Sequence, residues 1–130
     1  MSRDLFEAAR AAMAFAHAPY SRFPVGAAIR AEDGKIYTGA NIENISYPQG
    51  WCAEPTAIGQ MIMGGAKRIV EMAVIAEKLP LCPPCGGCRQ KIAEFATAAT
   101  PIYLCDETGV KETVALCDLL PRSFKTDLLG

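Results

Sequence analysis

The chain has 130 residues, enough for one compact domain over 1–130. About half are apolar (51%), 21% are charged, and 13 basic side chains meet 14 acidic ones. This is an ordinary globular balance, and it excludes a nucleic-acid binder that works by neutralising phosphates, since Lys67-Arg68 is the only adjacent basic pair.

The first six residues are charged, with no apolar leader core behind them. No window holds about 18 uninterrupted apolar residues, so no membrane span is expected. A cytoplasmic location is the default expectation. Six cysteines are many for such a chain. Without a secretion signal, and with three of them at three-residue intervals, they read as metal ligands before disulfides.

In chain order, residues 2–17 carry apolar positions at helical spacing: Leu5, Ala8, Ala9, Ala12, Met13 and Ala16. Ser2 can cap that helix and Pro19 is expected to end it. His17, the only histidine, then falls at the helix end, where the dipole favours a cation, away from any metal motif. Residues 24–31 and 35–42 read as two strands joined through Asp33-Gly34, a strong hairpin signal. An irregular stretch from 43 to 51 follows, broken by Pro48 and Gly50. Residues 53–63 suit a helix, with Pro55 tolerated only in its first turn. Residues 69–76 form an apolar run of strand length, a central strand buried on both faces. A proline-rich loop leads into a helix from about 85 to 96. Two short strands, 101–105 and 110–116, close the chain as an antiparallel hairpin, with a short tail beyond. Alternating helices and strands predict a three-layer α/β/α sandwich around a mixed five-stranded sheet.

Two motifs carry chemistry: Trp51-Cys52-Ala53-Glu54, and Pro84-Cys85-Gly86-Gly87-Cys88. Each opens a predicted helix. Thiolates placed there face unpaired backbone N–H groups and the positive end of the dipole, which favours ionisation and metal ligation. Cys85 and Cys88, three residues apart in a first turn, lie on one helix face and can share an ion. Three protein ligands leave zinc a fourth position for a water that ionises near neutral pH, the arrangement of a catalytic site. Such a site needs a proton carrier that is not itself a ligand, and Glu54 is placed for that role. Cys-x-Glu followed by Pro-Cys-x-x-Cys is the general signature of zinc-dependent deaminases.

Other readings of the cysteines are weaker. A closed four-thiolate zinc site from Cys52, Cys82, Cys85 and Cys88 would leave Glu54 without a task. An iron–sulfur site is suggested by the Cys82-Cys85-Cys88 spacing but lacks a following fourth cysteine. Burial as small hydrophobes suits Cys82, Cys105 and Cys117 individually but not the patterned trio.

Five blocks extend the pattern: residues 18–27 (APYSRFPVGA), 39–47 (GANIENISY), 52–54 (CAE), 84–90 (PCGGCRQ) and 119–124 (LLPRSF). In that order they resemble the small homotetrameric cytidine deaminases along nearly the whole chain. The resemblance implies one zinc per chain and hydrolytic deamination of cytidine and 2′-deoxycytidine in pyrimidine salvage. It also implies a small-molecule nucleoside substrate rather than nucleic acid, and a homotetramer with shared active sites. It places Asn41 and Glu43 on the ribose hydroxyls and Phe23 against the base. Phe124 and Tyr47 would reach a neighbouring subunit's site, and the Ala53 N–H would lie near the base carbonyl. For the three aromatics, plain core packing is the reading without the family.

One departure stands out. In that family Cys-Ala-Glu is usually followed by Arg, and here Pro55 stands instead. Arg89 and the helix dipoles are therefore expected to carry more of the charge balance around the metal. A deaminase of a modified cytosine nucleoside and a structural-zinc interaction module are the rival functions.

Overall fold

The computed structural model describes residues 2–124. The elements run α1 (Ser2–Met13), β1 (Val25–Ala31), β2 (Ile36–Ala40), a 3₁₀ turn (Tyr47–Gln49), α2 (Ala53–Met63), β3 (Ile69–Ala76), α3 (Gly86–Phe95), β4 (Pro101–Asp106), β5 (Gly109–Ala115) and α4 (Leu116–Leu119). The five strands form one sheet in the order β2-β1-β3-β4-β5. Only the β3–β4 pair is parallel; β1–β2, β1–β3 and β4–β5 are antiparallel. The expected mixed sheet with an antiparallel last pair is what the chain forms.

Strand alternation sorts the core onto two faces. Ala27, Ile29, Ala31, Met72 and Val74 pack with Ala53, Ala57, Ile58 and Met61 of α2 and with Ile92 and Ala93 of α3. On the other face Ala28, Ala73, Ile75 and Cys105 meet Leu5, Phe6 and Ala9 of α1. Leu5 and Phe6 are fully buried, worth roughly 1.5–3 kcal/mol each. Two glycines set the helix-to-sheet distance. A Cβ on Gly26 would lie 2.1 Å from the Ala9 carbonyl oxygen, and one on Gly39 would lie 2.4 Å from the Ala57 nitrogen. β1 can therefore press against α1, and β2 against α2, only because neither residue carries a side chain.

The α1 face also holds a polar network that runs from exposed Asp4 to buried Glu71. Arg30 donates to Asp4 at 2.6 Å and to Glu71 at 2.7 Å, and the Tyr103 hydroxyl donates to the other Glu71 oxygen at 2.6 Å. Glu71 is buried, and these partners replace its lost hydration.

Several boundaries differ from the sequence reading. α1 ends at Met13, not near Pro19. Turn hydrogen bonds follow, and the His17 N–H donates to the Asn41 carbonyl at 2.9 Å while its own carbonyl accepts from Glu43 at 2.7 Å. Pairing with residues 41–43 outweighs helix propensity there, so His17 is a bridge residue and not a helix terminus. The same pairing takes residues 41–42 out of β2. The last hairpin is tighter than expected: Asp106 pairs with Gly109, and the Asp106 carboxylate accepts from the Thr108 N–H at 2.7 Å and its hydroxyl at 2.6 Å. α4 was not anticipated, because four residues are too few to show periodicity.

Candidate active site

The two metal motifs converge at the starts of α2 and α3. Cys52 is the N-cap of α2 and Cys85 the N-cap of α3, both in extended conformation. Cys88 follows in the first turn of α3 and is buried, whereas Cys52 and Cys85 are exposed. The Cys52–Cys85 sulfur distance is 4.0 Å and the Cys85–Cys88 distance is 3.4 Å. All three sulfurs lie within 4.8 Å of one another. Zn–S bonds of about 2.3 Å in a tetrahedron put sulfurs about 3.8 Å apart, so the cluster suits one zinc ion. Cys82 is not part of this cluster, and burial pushes its thiol up. Among the described residues no other group of His, Cys, Asp or Glu side chains gathers in this way.

The sulfurs share their protons unequally. Hydrogen bonding from Cys88 pulls the Cys52 thiol down to about 6, and the same contact holds the Cys88 proton well above the ordinary thiol range. Glu54, in the first turn of α2, is only 4% exposed. Burial pushes its carboxyl up to about 7, and negative charge on Cys52 adds to the rise. A carboxyl poised near neutrality can both take and give a proton at neutral pH. Ala53 and Pro55 are buried beside it.

Ile42 and Trp51 exchange backbone hydrogen bonds, each of 2.8 Å, so the 41–43 segment runs alongside the residue that precedes Cys52. Asn41 holds the Phe23 loop from both ends: its amide oxygen accepts from the Val25 N–H at 2.9 Å and its amide nitrogen donates to the Phe23 carbonyl at 2.9 Å. Glu43 accepts from the Tyr20 and Ser21 N–H groups at 3.0 and 3.1 Å and closely from the Ser21 hydroxyl. These bonds hold the Glu43 carboxyl below its usual value. Each side chain keeps hydrogen-bonding capacity to spare. Glu43 also lines a pocket of about 240 Å³ with Tyr20, Ser21, Asn44, Tyr47 and Gly50.

The aromatic candidates separate by exposure. Phe23 is half-buried. Tyr47 is 73% exposed and tilts against Tyr20, with ring centroids 5.8 Å apart. Phe124 is 84% exposed, and only its backbone is held: it exchanges hydrogen bonds with the Gln90 amide at 2.8 and 3.1 Å. Arg89 donates to the Pro84 carbonyl at 2.8 Å and the Leu119 carbonyl at 2.8 Å. It ties the loop before Cys85 to α4.

Sequence reasoning assigned no role to Ser21, Gln90 or Lys91. Ser21 braces Glu43, and Gln90 anchors the segment that carries Phe124. Both sat inside quoted blocks, which was the available signal. Lys91 had none. Its ammonium lies 4.9 Å from the centroid of the Trp51 ring, and its charge favours the ionised forms of Cys52 and Glu54.

Three thiol ligands with a buried carboxyl beside them are the equipment of a zinc-dependent hydrolytic enzyme. Residues 1–104 match the family described as the cytidine and deoxycytidylate deaminase zinc-binding region. The chain is 46% identical to a cytidine deaminase of Sporosarcina psychrophila over 87% of this chain and 84% of that one. It is 43% identical to a cytidine deaminase of Halalkalibacterium halodurans over 86% and 85% of the two chains. Among solved structures it resembles the cytidine deaminase of Burkholderia pseudomallei, with TM-score 0.87, 39% identity, and 93% and 97% of the two chains covered. The chain belongs to the cytidine deaminase family.

Proposed function

We propose that this enzyme hydrolyses cytidine and 2′-deoxycytidine to uridine and 2′-deoxyuridine, releasing ammonia. The setting would be pyrimidine salvage in the cytoplasm, with the chain acting as a single domain. The observation that carries the reading is the buried Glu54 carboxyl against a three-sulfur cluster that fits one zinc.

Cys52, Cys85 and Cys88 would hold the ion, which supplies Lewis-acid activation of a water. Glu54 would take a proton from the attacking water and give protons to the ring nitrogen and the departing amine. Its burial supports both transfers, because a carboxyl near pKa 7 changes protonation state at little cost. The Ala53 N–H, at the first position of α2 and without an intrahelical acceptor, suits the base carbonyl. Asn41 and Glu43 bind the ribose hydroxyls with the capacity their loop contacts leave free. Phe23, held through its carbonyl by Asn41, packs on the base. Arg89 steadies the approach to Cys85 through its hydrogen bonds to the Pro84 and Leu119 carbonyls.

The assembly is read as a homotetramer with shared sites. Tyr47 and Phe124 support this, since both expose most of their rings near elements that carry the site. No helix among the described residues is long and apolar enough to cross a membrane, which suits a nucleoside substrate in solution.

The test is loss of cytidine absorbance on incubation with zinc-loaded protein. Cys85→Ser should abolish both zinc binding and turnover, whereas Cys82→Ser should retain both. Loss of zinc in Cys82→Ser would instead favour the structural-zinc reading. Activity on a modified cytosine nucleoside with none on cytidine would overturn the substrate.

A further inference from the structure

We propose that Lys91 is the cation that balances the negative charge of the three-thiolate centre, and that Trp51 holds it in place. The inference rests on the zinc-centred reading above. Three thiolates on a divalent ion leave one net negative charge, which must be met by donors or cations from the protein.

The two N-cap cysteines are not equally supplied with donors. An N-cap side chain accepts from the second and third N–H groups of its helix. For Cys85 these belong to Gly87 and Cys88, and both exist. For Cys52 they belong to Glu54 and Pro55, and proline has no N–H. Neither sulfur makes a cap hydrogen bond in the structure, and the α2 side has one backbone donor fewer to offer. Arg89, the cation next to a ligand in sequence, spends its hydrogen bonds on the Pro84 and Leu119 carbonyls.

Lys91 sits where both helix starts meet. On α3 its side chain runs back toward the N-terminus, over the first turn. Its ammonium lies 3.9 Å from where a Cβ on Gly87 would be, and Gly87 immediately precedes Cys88. The same ammonium stands 4.9 Å from the centroid of the Trp51 ring, and Trp51 immediately precedes Cys52. A cation over an indole face is favourably held even at a partly exposed site. One flexible side chain thus spans the rim between the α2 and α3 ligands. The indole holds its charged end. Lys91 does not touch a sulfur; it acts through the field and is a positioning residue.

The experiment measures the zinc dissociation constant by chelator competition for wild type, Lys91→Gln, Lys91→Glu, Lys91→Arg and Trp51→Leu, with Lys111→Gln as a distant control. Thermal melts of the metal-free proteins check folding. At low salt Lys91→Gln should bind zinc about tenfold more weakly, and Lys91→Glu more weakly still. The gap should shrink toward nothing as salt rises, because a partly exposed charge is screened. Lys91→Arg, which keeps the charge and the indole contact, should stay within about twofold of wild type. Trp51→Leu should fall between wild type and Lys91→Gln. Unchanged affinity in Lys91→Gln and Lys91→Glu, or a gap that ignores salt, overturns the proposal. Wild-type affinity in Trp51→Leu overturns the anchoring role. A wild-type chain that takes up no zinc at all refutes the zinc reading itself, a separate outcome.

Discussion

Glu54 combines a catalytic opportunity with a stability cost. Its carboxyl titrates near 7 in the folded chain against an ordinary value of 4.5. The folded state therefore binds this proton more tightly than the unfolded state does. Stability from this group is complete below about pH 4.5 and is lost as pH rises through 7. The shift corresponds to an upper bound of about 3 kcal/mol. In metal-free protein, Glu54→Gln should escape that loss, so the stability difference between variant and wild type should move in the variant's favour between pH 4.5 and 7. Urea titrations across that range measure it, and a constant difference would show that the carboxyl is not destabilised by burial. The same variant should keep one zinc per chain while turnover falls by about 100- to 10,000-fold. Loss of zinc would make Glu54 a ligand instead.

At the scale of elements, the site depends on how closely β2 approaches α2. Gly39 sets that approach, and its neighbours are backbone atoms of Ala53, Thr56 and Ala57 at 2.4–2.9 Å from an added Cβ. Backbone cannot swing aside as a flexible side chain can. Gly39→Ala should therefore push α2 outward and destabilise the fold by about 1–3 kcal/mol. Because Cys52 and Glu54 ride on the first turn of α2, zinc affinity should fall with it. A variant that melts like wild type and binds zinc normally would mean that the helix adjusts without moving its N-terminus. The 41–43 segment is a second such coupling. Its pairing with His17 and Trp51 fastens the Phe23 loop, the residues read as sugar ligands and the Cys52 motif into one patch.

Across the whole molecule, the metal site joins the starts of two helices that pack into the same core on one sheet face. α2 lies mainly over β2 and β1, and α3 leads from β3 to β4. A bound ion ties their N-termini together and stabilises the folded chain by mass action, about 2.7 kcal/mol when free zinc is one hundred times its dissociation constant. Chelation should lower the melting temperature, and zinc should restore it. Cys85→Ser should melt at the chelated temperature whether or not zinc is added. Equal melting of the zinc-loaded and chelated wild type would show that the ion contributes nothing to the fold.

The chemistry of this protein was legible along the chain because it is written in local spacing. Cys-x-Glu and Cys-x-x-Cys each lie within one helical turn, so their residues share a helix start whatever the rest of the chain does. Helical spacing marked the first helix, the apolar run marked the central strand, and breakers and turn signals such as Asp33-Gly34 delimited the remaining strands and helices. Tertiary structure alone decided what no local pattern contains. It ended α1 at Met13, because a backbone pairing with residues 41–43 competes with the helix. It also turned Arg89 toward backbone carbonyls and set Lys91 over Trp51, forty residues away in the chain. Side-chain direction and long-range contact depend on how the layers pack, and residue spacing does not encode that packing.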